Sequence, residues 1–232
     1  MNNKLIVVIG AYGSGKSEYS INLARKLSKN RKRVTLVDLD VVNPYFRSRD
    51  VRDKFAEEGI TVIAPEGELQ HADLPMLSPR IMGAVQNYDE TVILDVGGDP
   101  TGCRALARYV DNIKKRGYEM RLVINTKRPF TAEANGITEM LEMLRFASKL
   151  EITEFICNTN LMEFTTADII EEGIIIIDEV AKKENIKFST FTVLDKYIDV
   201  IPNEIEGKTR ITLHYFLSKP WEMSNKVHHS GI

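Results

Sequence analysis

Leu5-Ile6-Val7-Val8-Ile9-Gly10-Ala11-Tyr12-Gly13-Ser14-Gly15-Lys16-Ser17 is the stretch on which the reading of the whole chain turns. An unbroken apolar run of this length suits a strand buried on both faces, where no polar side is needed. It stops at a turn that satisfies G-x-x-x-x-G-K-[ST], and a segment of helical periodicity follows from Lys16. Glycines in such a turn let successive backbone N–H groups point inward at phosphate oxygens, and the helix that follows presents its positive end. Gly10, Ala11, Tyr12, Gly13, Ser14 and Gly15 then form the cradle. Lys16 reaches the β- and γ-phosphates, and the Ser17 hydroxyl sits on Mg²⁺. The alternative is a glycine-rich turn with no ligand, which the strand before and the helix after disfavour.

Two further strand ends carry carboxylates. Leu36-Val37-Asp38-Leu39-Asp40 delivers two of them at period-two spacing, hence on one face, beside the phosphate loop. Asp38 is a candidate for the metal's outer coordination shell, and Asp40 for orienting an attacking water. The plainer reading is that both cap the loop that follows, where Asn43-Pro44 makes a turn. Ile93-Leu94-Asp95-Val96-Gly97-Gly98 is again an apolar strand ending in an acid. Asp95 fits the role of holding the Mg²⁺ hydration shell, and Gly98 completes D-x-x-G, whose glycine N–H senses a γ-phosphate.

Apolar runs of strand length recur at Lys4–Ile9, Arg33–Asp38, Thr91–Val96, Arg121–Asn125, Glu154–Cys157 and Phe188–Val193. Helical periodicity between them predicts helices at Lys16–Asn30, Ser48–Glu58, Ser78–Asn87, Cys103–Arg116, Thr131–Lys149 and Thr166–Asn185. This alternation points to an α/β fold of three layers, a mainly parallel central sheet flanked by helices. With 232 residues, one nucleotide-binding domain over 1–220 and a tail over 221–232 is the expected organisation.

Lys and Arg total 31 against 33 Asp and Glu, so no general basic surface for nucleic acid is expected. No apolar run approaches the roughly 20 residues that span a bilayer, and Met1–Lys4 leads straight into the first strand without a signal core. The expected location is the cytoplasm, where Cys103 and Cys157 stay unpaired.

With its three elements in this order, the chain resembles the MinD/ParA/nitrogenase-iron-protein group of P-loop ATPases, the SIMIBI class, over most of residues 1–205. The resemblance implies the P-loop NTPase fold, ATP and Mg²⁺ as ligands, and a nucleotide-driven switch acting on a protein client in metallocentre assembly, enzyme activation or positioning. Phe155-Ile156-Cys157-Asn158 is similar to the group's strand whose last asparagine meets adenine, and Val200-Ile201-Pro202-Asn203-Glu204 to its base loop. Asn158 is therefore an adenine contact or a buried tie between two loops, Pro202 a backbone contact, and Asn125 a third candidate. No N-K-x-D guanine motif occurs, since Thr126-Lys127-Arg128 follows Asn125, which favours ATP over GTP. Many members of the group carry an extra lysine that reaches across a dimer to the partner's nucleotide. Ala11 stands there, which weakens the expectation of a nucleotide-dependent homodimer and leaves Tyr12, Arg47 and Arg49 as other cross-subunit candidates.

Other readings stay open. An ATP-dependent ligase similar to dethiobiotin synthetase or cobyrinate amidase would build its substrate pocket from the loops at Asn43–Asp50 and Pro65–Pro79. A P-loop kinase shares the phosphate motif, but no compact Arg-rich lid is visible, and a regulator that scarcely hydrolyses is a fourth reading. Cys103 lies near the place of a cluster cysteine in the nitrogenase iron protein, at a different offset; a small buried thiol is the commoner fate. His71, His214, His228 and His229 show no metal-ligand spacing. Segment Gly207–Trp221 suits packing against a sheet edge better than a membrane-binding helix.

Overall fold

A computed structural model of the chain describes residues 3–30, 33–40, 49–64 and 79–216. The strands are β1 (Leu5–Gly10), β2 (Val34–Leu39), β3 (Ile60–Ile63), β4 (Thr91–Gly97), β5 (Glu119–Ile124), β6 (Glu154–Cys157), β7 (Lys187–Leu194), β8 (Glu204–Ile205) and β9 (Lys208–Leu213). The helices are α1 (Lys16–Ser28), α2 (Arg49–Glu57), α3 (Pro79–Gln86), α4 (Pro100–Ala107), α5 (Val110–Arg116), α6 (Ala134–Ser148) and α7 (Ala167–Glu184). All strands join one sheet in the order β3-β2-β4-β1-β5-β6-β7-β9-β8. Every neighbouring pair is parallel except β8 with β9.

Strands β1, β2 and β4 are buried along their whole length, and their side chains divide between two cores. Leu5, Val7 and Ile9 of β1 enter one layer with Val37, Leu39, Val92, Leu94 and Val96. Ile6 and Val8 enter the other with Leu36, Ile93 and Ile21 of α1. This is the period of two at work in a sheet with helices on both faces, and it makes the three-layer α/β arrangement. From β1 the chain next occupies the β2–β4 side, then the β5–β7 side. The strand order therefore reverses at β1, and a crevice opens beyond its carboxyl end.

Local chemistry sets the helix ends. Thr166 accepts the Ile169 N–H at 3.3 Å and caps α7, and Asn185 closes it in the left-handed region at φ 53°. The helix expected from Cys103 to Arg116 is instead two. It begins earlier because Pro100 suits a first helical position and the Asp99 carboxylate accepts the Gly102 N–H at 3.1 Å. It breaks at Tyr109 (φ −108°, ψ 0°). Leu106, Tyr109, Val110 and Ile113 all face the same core, so periodicity runs through the break without marking it.

Past Leu213 the chain is fastened to α1. The His214 N–H donates to Asn22 Oδ1 at 2.8 Å and Asn22 Nδ2 to the His214 carbonyl at 2.9 Å. The Phe216 N–H donates to Glu18 Oε1 at 2.7 Å, and the Arg25 guanidinium lies 4.1 Å from the Phe216 ring centroid. The part of Gly207–Trp221 that is described is thus a strand within the sheet and its exit, not a membrane-binding helix. Among the described residues no helix is long and apolar enough to cross a membrane. The loops expected to build a partner or substrate surface, 43–48 and 65–78, lie outside the described residues, as do Arg47, His71 and the 217–232 tail.

Candidate nucleotide site

The crevice is occupied by the loop from Gly10 to Ser17. The Ser14 N–H donates to the Ala11 carbonyl at 3.0 Å, and Gly15 precedes α1 at φ 85°. A side chain at Gly15 is excluded twice, by that backbone angle and by Asn158 Nδ2, which would stand 2.1 Å from an added Cβ. Gly98 packs on the same loop from the other side. A Cβ there would sit 2.1 Å from the Gly10 carbonyl oxygen and 2.8 Å from the Ala11 nitrogen. The exit of β4 therefore touches the backbone of the phosphate loop.

Lys16 is 8% exposed, and its Nζ lies 2.6 Å from Asp40 Oδ2. Asp38 and Asp95 face each other in register across the β2–β4 ladder, and Asp38 Oδ1 accepts the Asp40 N–H at 2.9 Å. The Ser20 hydroxyl lies 2.9 Å from the Lys16 carbonyl and 3.4 Å from Asp95 Oδ1. Ser17 also hydrogen-bonds Asp95. The structure thus brings Lys16, Ser17, Asp38, Asp40, Asp95 and Gly98 together, as their places at three strand ends led one to expect.

Three buried carboxylates surround one buried ammonium. Burial works against the Lys16 charge, but Asp95, Asp40 and Asp38 more than offset it and hold its pKa above the ordinary value. Burial pushes the Asp95 carboxyl up to about 6, against the pull of Lys16 and the hydrogen bonds from Ser17 and Ser20; Asp40 adds to the rise. Asp95 Oδ2 is buried with no hydrogen-bond partner among the described residues. An excess of buried negative charge with an unsatisfied carboxylate oxygen next to a serine hydroxyl fits a small divalent cation that takes oxygen ligands and keeps its own waters. Among the described residues no group of three or more His, Cys, Asp or Glu forms a denser metal cage. Cys103 and Cys157 are buried and free, and burial, helped by Asp99, raises the Cys103 thiol to about 11. Both cysteines are thus small buried thiols.

Two cavities flank the loop. A cavity of about 660 Å³ lies on the lysine side, between Lys16, Asp40, Gly98, Tyr12, Phe130 and Met143. A smaller one of about 200 Å³ lies beside Gly13 and Gly15. Asn158 lines the smaller cavity, with its amide already engaged: Nδ2 donates to the Ser14 carbonyl at 2.6 Å and Oδ1 accepts from the Thr192 hydroxyl. It ties β6 to the phosphate loop. Asn125 is 1% exposed and bonds the backbone of Lys127 and Asn160, so it knots two loops beneath the cavity. Pro202 is exposed in the turn before β8 and lies off the cavity wall. The end of β7 and the turn after it reach the cavity through Leu194 and Tyr197 instead. Arg128, Met162, Thr192 and Tyr197, which also line it, carry no motif that singles them out in the sequence.

A strand-loop-helix phosphate cradle at the switch point of a mainly parallel sheet, with an acid at the end of β4, defines a nucleotide-binding P-loop protein of the SIMIBI class. Within that class the chain belongs to the CobQ/CobB/MinD/ParA nucleotide binding domain family, which it matches over residues 5–216. Solved structures share the fold. The cell division protein FtsY of Thermotoga maritima is 22% identical with a TM-score of 0.56, covering 82% of this chain and 62% of its own. FtsY of Mycoplasma mycoides (16%, 0.54) covers 82% and 60%, and chloroplast FtsY of Physcomitrella patens (15%, 0.54) covers 82% and 58%. This chain spans about three fifths of the length of those proteins. No protein of curated function matches it.

Proposed function

We propose that the protein is a Mg²⁺-dependent ATPase whose nucleotide cycle switches a protein client. The observation that carries this reading is the buried Lys16 ammonium held by Asp40 at the start of α1, with Asp95 beside it. A triphosphate entering the cradle takes over Lys16, which frees Asp40 to accept a hydrogen bond from the attacking water. Ser17 and Asp95 are the residues that would hold Mg²⁺, which would neutralise charge on the phosphate oxygens when bound. Gly98, pressed on the loop, gives β4 a backbone N–H near the terminal phosphate, so loss of that phosphate relaxes its exit.

ATP is supported over GTP by the small cavity. Guanine offers N–H donors that call for a carboxylate, and among the described residues the wall carries a single acid, Glu18, whose Oε1 accepts the Phe216 N–H. A client surface is supported by the rim of the larger cavity, where Tyr12 is 80% and Phe130 74% exposed. Two free buried thiols suit a reducing cytoplasm.

Phosphate release from Mg·ATP and Mg·GTP, with and without lysate fractions, tests the reading. Slow release from ATP that rises with a protein fraction and vanishes in Lys16→Ala supports it. Release that rises only with a small carboxylate would transfer the protein to the ligase reading.

A further inference from the structure

Arg128 stands between the phosphate loop and the smaller cavity. Its backbone is fixed: the Arg128 N–H donates to the Asn125 carbonyl at 3.1 Å, and the Thr131 hydroxyl donates to the same oxygen at 2.7 Å. Its side chain leaves that knot and crosses to the phosphate loop, where Nε donates to the Gly13 carbonyl at 3.1 Å. The guanidinium lies against Gly13, since a Cβ added there would come within 3.0 Å of Nε and 3.3 Å of Cζ. Among the described residues no carboxylate pairs with it. It forms part of the wall of the 200 Å³ cavity, with Gly15, Asn158, Met162 and Tyr197.

The amides that line this cavity are each held by hydrogen bonds within the protein. Asn158 is committed to Ser14 and Thr192, and Asn160 donates to the Asn158 carbonyl at 2.7 Å and accepts the Met162 N–H at 3.4 Å. The cavity offers a base mainly faces to lie against, and a weakly hydrated planar guanidinium is a good surface for one.

We propose that Arg128 is a nucleotide-positioning residue that stacks on the face of the purine, its guanidinium plane held in place by the hydrogen bond from Nε to the Gly13 carbonyl. This rests on the nucleotide reading given above. Calorimetric titration of the protein and its Arg128→Ala and Arg128→Lys variants with ATP and with inorganic tripolyphosphate, both in Mg²⁺, tests it.

Arg128→Ala is expected to weaken ATP binding roughly 3- to 30-fold, the range of a cation–π contact, and to leave tripolyphosphate affinity unchanged. Arg128→Lys, which keeps the charge and loses the plane, recovers only part. Equal losses for both ligands would overturn the assignment in favour of a phosphate or loop role, and unchanged ATP affinity would end it. Wild-type protein that binds neither ligand would instead remove the nucleotide reading, and the Arg128 assignment with it.

Discussion

Lys16 and Asp40 form an ion pair; in the proposed cycle a triphosphate replaces it, so that Asp40 competes with the ligand before it serves the reaction. Asp40→Ala is expected to bind ATP at least as tightly as the parent while hydrolysis falls roughly 100-fold or more, the usual worth of a proton-handling group. Equilibrium binding and single-turnover hydrolysis check this, and normal turnover would return Asp40 to a merely structural place. Asp95 makes a second prediction. Its pKa in the fold, about 6, exceeds its ordinary 3.8, so the native state binds the proton more tightly than the unfolded chain does. Stability of the ligand-free protein from this group therefore falls as pH rises from about 4 to about 6 and stays lowered above. Asp95→Asn should stabilise the ligand-free protein at pH 7 by on the order of 1–3 kcal/mol and lose that advantage near pH 4. Denaturant melts at the two pH values decide it; a variant less stable than the parent at pH 7 would mean that the carboxylate is satisfied.

At the scale of elements, the contact between the β4 exit and the phosphate loop is what carries γ-phosphate sensing in the proposed cycle. Gly98→Ala places a methyl against the Gly10 carbonyl, a backbone atom that cannot swing aside. The expected cost is about 1–3 kcal/mol of stability and a loss of the preference for ATP over ADP. Equal melting temperature and an intact preference would show that the two elements separate freely.

The elements that build this contact were legible because their signals are local. An unbroken apolar run marks β1 and β4, a glycine pattern marks the loop, and acids at strand ends mark the rim. β3 was not legible, being four residues that follow Gly59 directly, and neither was the two-residue β8, which is too short for any period. The wall of the smaller cavity was hidden for another reason. Arg128, Met162, Thr192 and Tyr197 come from four separate segments and meet only through the sheet order, which no single stretch encodes. Pro202 was drawn by resemblance of its loop, yet the chain reaches the cavity with Tyr197, five residues earlier.

For the whole molecule, Ala11 and the apolar rim set the question of assembly. The proposed switch would change partners with the nucleotide, so light scattering and sedimentation with ADP and with a γ-phosphate analogue should differ in mass or shape. Identical behaviour would favour a simple enzyme. The fastening of residues 214–216 to α1 bears on a different property of the molecule. Glu18 and Asn22 lie in the first two turns of the helix that starts at the phosphate loop, and they clasp the chain as it leaves the sheet. A pull on the chain at Phe216 is thus borne by the first two turns of α1, the helix that starts at the phosphate loop.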